Sequence, residues 1–116
     1  MTLTNFPNGI AADITGDLTG QTFGVVSTYA ADGAIALTDK MAVLNGADAS
    51  CVMTLAAGTA GKVTRIKAND TTETVTVTPA SFVDGTTITF TPANEYVELT
   101  SDGTSWYLTG GNAAVT

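Results

Sequence analysis

Histidine is absent from the 116-residue chain, and Cys51 has no second cysteine to pair with. The first absence removes the usual general base at neutral pH, the commonest metal ligand and the partner of a Ser or Cys nucleophile. The second excludes a disulfide within the chain and a thiolate zinc site. Cys51 lies in the apolar run Ser50–Leu55, which predicts a small buried core residue. Positive charge is also scarce: four Lys and Arg stand against eleven Asp and Glu, for a net charge of −7. Lys40, Lys62, Arg65 and Lys67 are too few to neutralise a run of phosphates, so nucleic acid is not an expected partner. The acidity favours solubility and repels anionic membranes. No run is long and apolar enough for a transmembrane helix. "MTLTNFPNGI" has neither a basic start nor a long apolar stretch, so Sec-type secretion is not expected. The short "GTAGK" of Gly58–Lys62 is followed by Val63 and is no phosphate-binding loop; it reads as a turn between strands.

What remains is apolar and rich in threonine. Hydrophobic residues make up 44% and charged residues 13%, which sets the chain apart from disordered tails. Its length suits one domain with a modest core. Roughly one residue in five is Thr, a β-branched residue that favours strands, and 12 glycines supply turns. The composition predicts an all-β fold.

The patterning agrees. "ETVTVTP" (Glu73–Pro79) alternates Val75 and Val77 against Thr74, Thr76 and Thr78. "TTITFTP" repeats the pattern with Ile88 and Phe90 inward. Pro79 and Pro92 close these two runs, because proline cannot donate to a ladder. Further strands are expected in Thr22–Ala30, Gly33–Thr38, "MAVLNG", Ser50–Leu55 and Lys62–Ala68. Asp32-Gly33, Asn45-Gly46, Asp84-Gly85 and Asp102-Gly103 are tight-turn signals between them. "LTDKMAVLNGADASCVMTLAAG" carries some helical spacing, but Asn45, Gly46 and Asp48 interrupt it, leaving a short helix only as the minor alternative. Thr-laced runs in the second half recur too irregularly for a solenoid repeat.

The stretch "EYVELTSDGTSWYLTGG" (Glu95–Gly111) reads as one hairpin. Val97 and Leu99 share a face, as do Trp106 and Leu108 on the return strand, so Trp106 is expected to anchor the core. The alternative is an exposed aromatic platform of Tyr96, Trp106 and Tyr107, with Asp102 and Asn112 as nearby polar readers. The orientation of Trp106 separates the two. Residues 1–20 differ from the rest. Pro7 and Asn8-Gly9 break regular structure, and Leu3, Phe6 and Ile10 fit neither period, so this segment reads as an extended arm with spaced anchors. The expected organisation is an arm (1–20) followed by a β domain (21–116), a small antiparallel sandwich or barrel of short strands and hairpins.

Catalysis is not expected. The carboxylate pairs Asp13/Asp17 and Glu95/Glu98 have no evident cleft between them, as glycosidic chemistry requires. Asp13, Thr15 and Asp17 do not follow the Ca²⁺-loop spacing. Acids in turns have a structural task, bonding their own backbone. No metal or cofactor is expected. A small sheet with many edges must cover them, and self-association does so while enlarging a small core.

Met53–Gly111 resembles the small β-rich virion proteins of tailed bacteriophages, namely head-decoration and head-fibre proteins and related tail-fibre modules. The residues that carry the likeness are Leu55, Ala56, Gly58, Gly61 and Lys62 in a turn, the Thr/Val and Ile-Thr-Phe strands, the Val-x-Leu strand, Trp106 and the closing Gly. The resemblance covers about half of the chain. It implies a trimeric, non-enzymatic protein, made in the host cytoplasm and placed on the capsid surface. There it would bridge subunits of the major capsid protein. Leu3, Phe6, Pro7 and Ile10 would then be the capsid contacts. The absence of a long fibre shaft favours decoration over a tail-fibre role. The alternative is a receptor- or carbohydrate-binding module of a tail or head fibre, read by Tyr96, Trp106 and Tyr107.

Overall fold

The computed structural model describes residues 24–116. The expected arm lies outside the described residues, together with Leu3, Phe6, Pro7, Ile10, Asp13 and Asp17. Ten strands follow: β1 (Val25–Tyr29), β2 (Gly33–Ile35), β3 (Asp39–Asn45), β4 (Cys51–Leu55), β5 (Val63–Asp70), β6 (Val75–Pro79), β7 (Ile88–Thr89), β8 (Tyr96–Ser101), β9 (Trp106–Gly111) and β10 (Ala114–Val115). No α-helix occurs among the described residues, and the run around Met41–Leu55 forms β3 and β4.

The strands make two five-stranded sheets. Sheet A has the order β1-β3-β5-β8-β9 and sheet B the order β10-β7-β6-β4-β2. The expected all-β sandwich is therefore present, but its strand directions are mixed. From β1 to β6 the chain alternates between the sheets, and each strand lies parallel to the one two places earlier. Val26, Met41 and Arg65 are stacked in register in sheet A; Gly33, Met53 and Val77 are stacked in sheet B. The chain thus makes three turns of a flattened coil. Successive turns advance by 15 and 24 residues in one sheet and by 20 and 24 in the other, so no fixed period marks them. From β7 onward the pairing is antiparallel.

Two of the turn signals do something other than close a hairpin. Asp32-Gly33 and Asn45-Gly46 sit where the chain crosses from sheet A to sheet B. The corners stack on each other: Gly46 N–H donates to Asp70 O (2.8 Å), Glu73 N–H to Gly46 O (2.7 Å) and Cys51 N–H to Thr74 O (2.8 Å). A Cβ on Gly46 would lie 2.5 Å from Val75 Cγ2, so the corner accepts only glycine. Asp102-Gly103, in contrast, closes a true hairpin, with Leu99 facing Leu108 and Ser101 facing Trp106.

The core lies between the sheets. Sheet A contributes Ala42, Leu44, Ile66, Ala68, Val97, Leu99 and Trp106; sheet B contributes Ile35, Cys51, Met53, Leu55, Val75, Val77 and Ile88, with Phe90 just beyond β7. The alternation read in Glu73–Pro79 holds: Val75 and Val77 are buried, and Thr76 and Thr78 face outward. Burying each larger side chain here stabilises the fold by about 1.5–3 kcal/mol against an exposed one.

Candidate interaction surfaces

Trp106 is fully buried. Its indole Nε1–H donates to Ala56 O at 2.9 Å, satisfying the one polar group that burial would otherwise strand. Gly58 lies against the ring: a Cβ there would come within 2.8 Å of Trp106 Cζ2. The Gly58 turn is therefore fitted to the indole. Tyr96 and Tyr107 point the other way, onto the outer face of sheet A, 47% and 39% exposed. The three aromatics do not form one platform.

The polar groups beside them are already engaged. Asp102 Oδ1 accepts from Thr104 N–H and Ser105 N–H, and Asp102 Oδ2 accepts from the Tyr107 hydroxyl at 2.9 Å. The Ser105 and Thr104 N–H groups, with Tyr107, hold the Asp102 carboxyl below its ordinary range. The same hydrogen bond to Asp102 raises the Tyr107 phenol. Asn112 Oδ1 accepts from Tyr96 N–H at 3.0 Å. Both side chains accept from main-chain N–H groups, Asp102 within its own turn and Asn112 across to the start of β8.

Cys51 is buried, and burial pushes its thiol up, away from the reactive thiolate. No group of three or more Cys, Asp or Glu suited to a metal ion occurs among the described residues. No helix among them is long and apolar enough to cross a membrane.

One buried polar cluster was not legible in the sequence. Asp39 opens β3 and is 1% exposed. Its carboxylate accepts from Ser27 Oγ at 2.6 Å and from the Tyr29 hydroxyl. Its main-chain oxygen accepts from Lys62 Nζ at 2.9 Å. Tyr29 Oη in turn accepts from Ala36 N–H at 3.0 Å. Partial burial, ahead of the nearby Asp39 carboxylate, raises the Tyr29 phenol. Ser27 and Tyr29, two apart on β1, are polar residues on the inward face. That spacing was the only signal available, and it needs the parallel partner strand to acquire meaning.

The outer faces of the sheets differ. On sheet B two rows run across the strands: Val52, Thr76, Thr89 and Ala114, and Ala34, Thr54 and Thr78. Neither row holds an ionisable side chain. On sheet A the rows are Val26, Met41, Arg65 and Glu98, and Thr28, Val43, Lys67 and Tyr96. Lys40 sits where β3 carries an extra residue against β1, and with Val63 and Arg65 it lines a shallow pocket. Arg65 Nε pairs with Glu98 Oε2 at 3.1 Å. That pair is exposed to solvent and contributes little to stability.

The opposite character appears at one end of the sandwich. The corners where β1, β3 and β5 finish carry Asp32, Asp48, Asp70 and Glu73, with Glu95 in the strand-to-strand link beside them. A second indentation lies there, lined by Thr71, Thr72, Glu73, Thr89 and Thr91 among others. Compared with protein-family models and with curated proteins, the chain matches none.

Proposed function

We propose that this chain is a non-enzymatic virion structural protein that decorates a phage capsid, contacts the major capsid protein and bridges its subunits, assembling as a homotrimer. The observation that carries this reading is the form of the surface. Two packed sheets present open outer faces, one lined by threonine and small apolar side chains and the other by apolar side chains with Arg65, Lys67 and Glu98 among them. Turn residues such as Asp32, Asp84, Asp102 and Asn112 are engaged as acceptors for main-chain N–H groups. Such faces suit broad, shape-matched contact with other proteins more than enclosure of a small substrate. Among the described residues β1 lies at one edge of sheet A. The arm expected in residues 1–20 precedes that strand in sequence, and in this reading it reaches a neighbouring subunit. Repetition over a symmetric shell makes weak individual contacts sufficient, and an acidic exterior keeps particles apart. The resemblance of Met53–Gly111 to head-decoration proteins points the same way.

Deleting residues 1–10 tests the reading. The truncated protein is expected to keep its β-rich circular dichroism and its melting temperature while losing binding to empty shells. Full coating by the truncated protein would overturn the assignment of Leu3, Phe6, Pro7 and Ile10 as capsid contacts. The alternative of a glycan-reading fibre module rests on Tyr96 and Tyr107 alone, since Trp106 is enclosed. A glycan array with strong hits abolished by Tyr96→Ala would favour it.

A further inference from the structure

We propose that the outer face of sheet A is a self-association surface that receives the acidic end of a second copy of this chain. The inference rests on the self-assembly proposed above and names the two surfaces that meet; contact with a shell is a separate question.

Charge is distributed unevenly over the molecule. Eleven acidic and four basic residues give −7 overall, so copies repel unless a basic patch meets an acidic one. Arg65 and Lys67 alternate with the buried Thr64, Ile66 and Ala68 and therefore project from sheet A. Lys40 joins them at the pocket shared with Val63 and Arg65. Among the described residues only Arg65 forms an ion pair, with Glu98, so Lys40 and Lys67 bring uncompensated charge to this face. The complement is present on the same molecule. The crossings at residues 30–32, 46–50 and 71–74, and the link 91–95, hold four carboxylates and no basic residue; Asp70 adds a fifth at the end of β5.

The face is also apolar. Val26, Val63, Tyr96 and Tyr107 are 64%, 44%, 47% and 39% exposed, and Met41 and Val43 are half-buried between them. Tyrosine and arginine, both present here, are enriched at protein interfaces, and the cations of β3 and β5 lie beside the tyrosines of β8 and β9. The outer face of sheet B has no charge to steer a partner. Three cations with Glu98 among them, on a molecule of −7, are too few for a polyanion or an anionic membrane. Because the two patches differ, the contact is head-to-tail, and it closes into a ring when the rotation allows.

Light scattering and sedimentation equilibrium on the full chain test this, with three proteins at low and at roughly 0.5 M salt, where charge screening is strong. Wild type is expected to associate at low salt and to weaken about tenfold or more at high salt. Lys40→Glu/Lys67→Glu is expected to be monomeric at low salt with an unchanged melting temperature, since both side chains sit on the surface. Asp48→Lys/Glu73→Lys, at the other patch, is expected to behave likewise. A wild type that is monomeric throughout overturns the proposal. So does dissociation of the face variant while the end variant still associates, because the acceptor would then be a different surface. Binding of the monomeric variants to empty shells is a separate readout that bears on the decoration reading alone.

Discussion

Ser27 Oγ donates to Asp39 Oδ1 at 2.6 Å across the seam between β1 and β3. With Tyr29 on the same carboxylate, this contact ties the outermost turn of the coil to the rest of the molecule. Asp39→Ala leaves two hydroxyls without their acceptor. The expected loss is about 1–3 kcal/mol in urea unfolding, the cost of stranding buried polar groups. Amide exchange should accelerate most in β1 and β2 and least in β5 and β8. Uniform acceleration across all strands would show that Asp39 does not act as a local latch.

The Gly58 turn and the Trp106 ring form a second matched pair. Gly58→Ala places a Cβ 2.8 Å from Cζ2 and 3.1 Å from Ser101 Cβ. Overpacking of this kind costs about 1–3 kcal/mol. Trp106→Phe frees space beside the same turn. In that background Gly58→Ala should cost less, with a coupling of about 0.5 kcal/mol or more in a double-mutant cycle. Additive costs would mean that the two groups do not press on each other.

Acid should loosen the turns. The Asp32 carboxyl is held below its ordinary range by Val52 N–H and then by the Ser50 hydroxyl, and Asp70 by Thr72 N–H. Asp102 is held down by Ser105 and Thr104. A carboxyl depressed in the folded state contributes its full stability above its unfolded pKa of about 4 and loses it as pH falls through the lower folded value. Thermal melting should therefore be insensitive to these groups near neutrality and decline below about pH 4. Asp102→Asn keeps an acceptor in the turn without the titration, so its acid decline should be shallower than that of wild type. An identical slope would remove Asp102 from the account.

Cys51 should be slow to label. The thiol is enclosed, and burial raises its pKa, so both access and thiolate population are low. Reaction with a maleimide in native buffer should be on the order of 1,000-fold slower than in denaturant, limited by opening of the fold. Comparable rates in the two conditions would contradict the packing of β4.

The sequence disclosed the strands better than their partners. Val75, Val77, Val97, Leu99 and Trp106 showed their inward faces because alternation is a local property, and each is buried. Strand direction is not local. Asn45-Gly46 carries the chemistry of a two-residue hairpin turn, yet the chain there crosses to the other sheet, and the next partner of β3 is β5, reached only after β4. A turn signal records that the backbone bends, not which strand it will meet. β10 went unread because Ala114 and Val115 are too short a run to show a period. The basic trio was visible as composition, but its gathering on one face depends on the register of β3 with β5. Asp39 drew no reading from the sequence, because its donors come from β1.

Each circuit of the coil from β1 to β6 lays one strand into each sheet. The molecule can therefore change length only in whole circuits. A segment inserted between β4 and β5 that supplies two strands would widen both sheets together and leave every later side chain on its present face. One that supplies a single strand would send β5 into the wrong layer, turning Arg65 and Lys67 out of their row and breaking the partnership with β8. Natural variation in the size of this domain should thus be stepwise, with increments of about the 15 to 24 residues that separate its present turns.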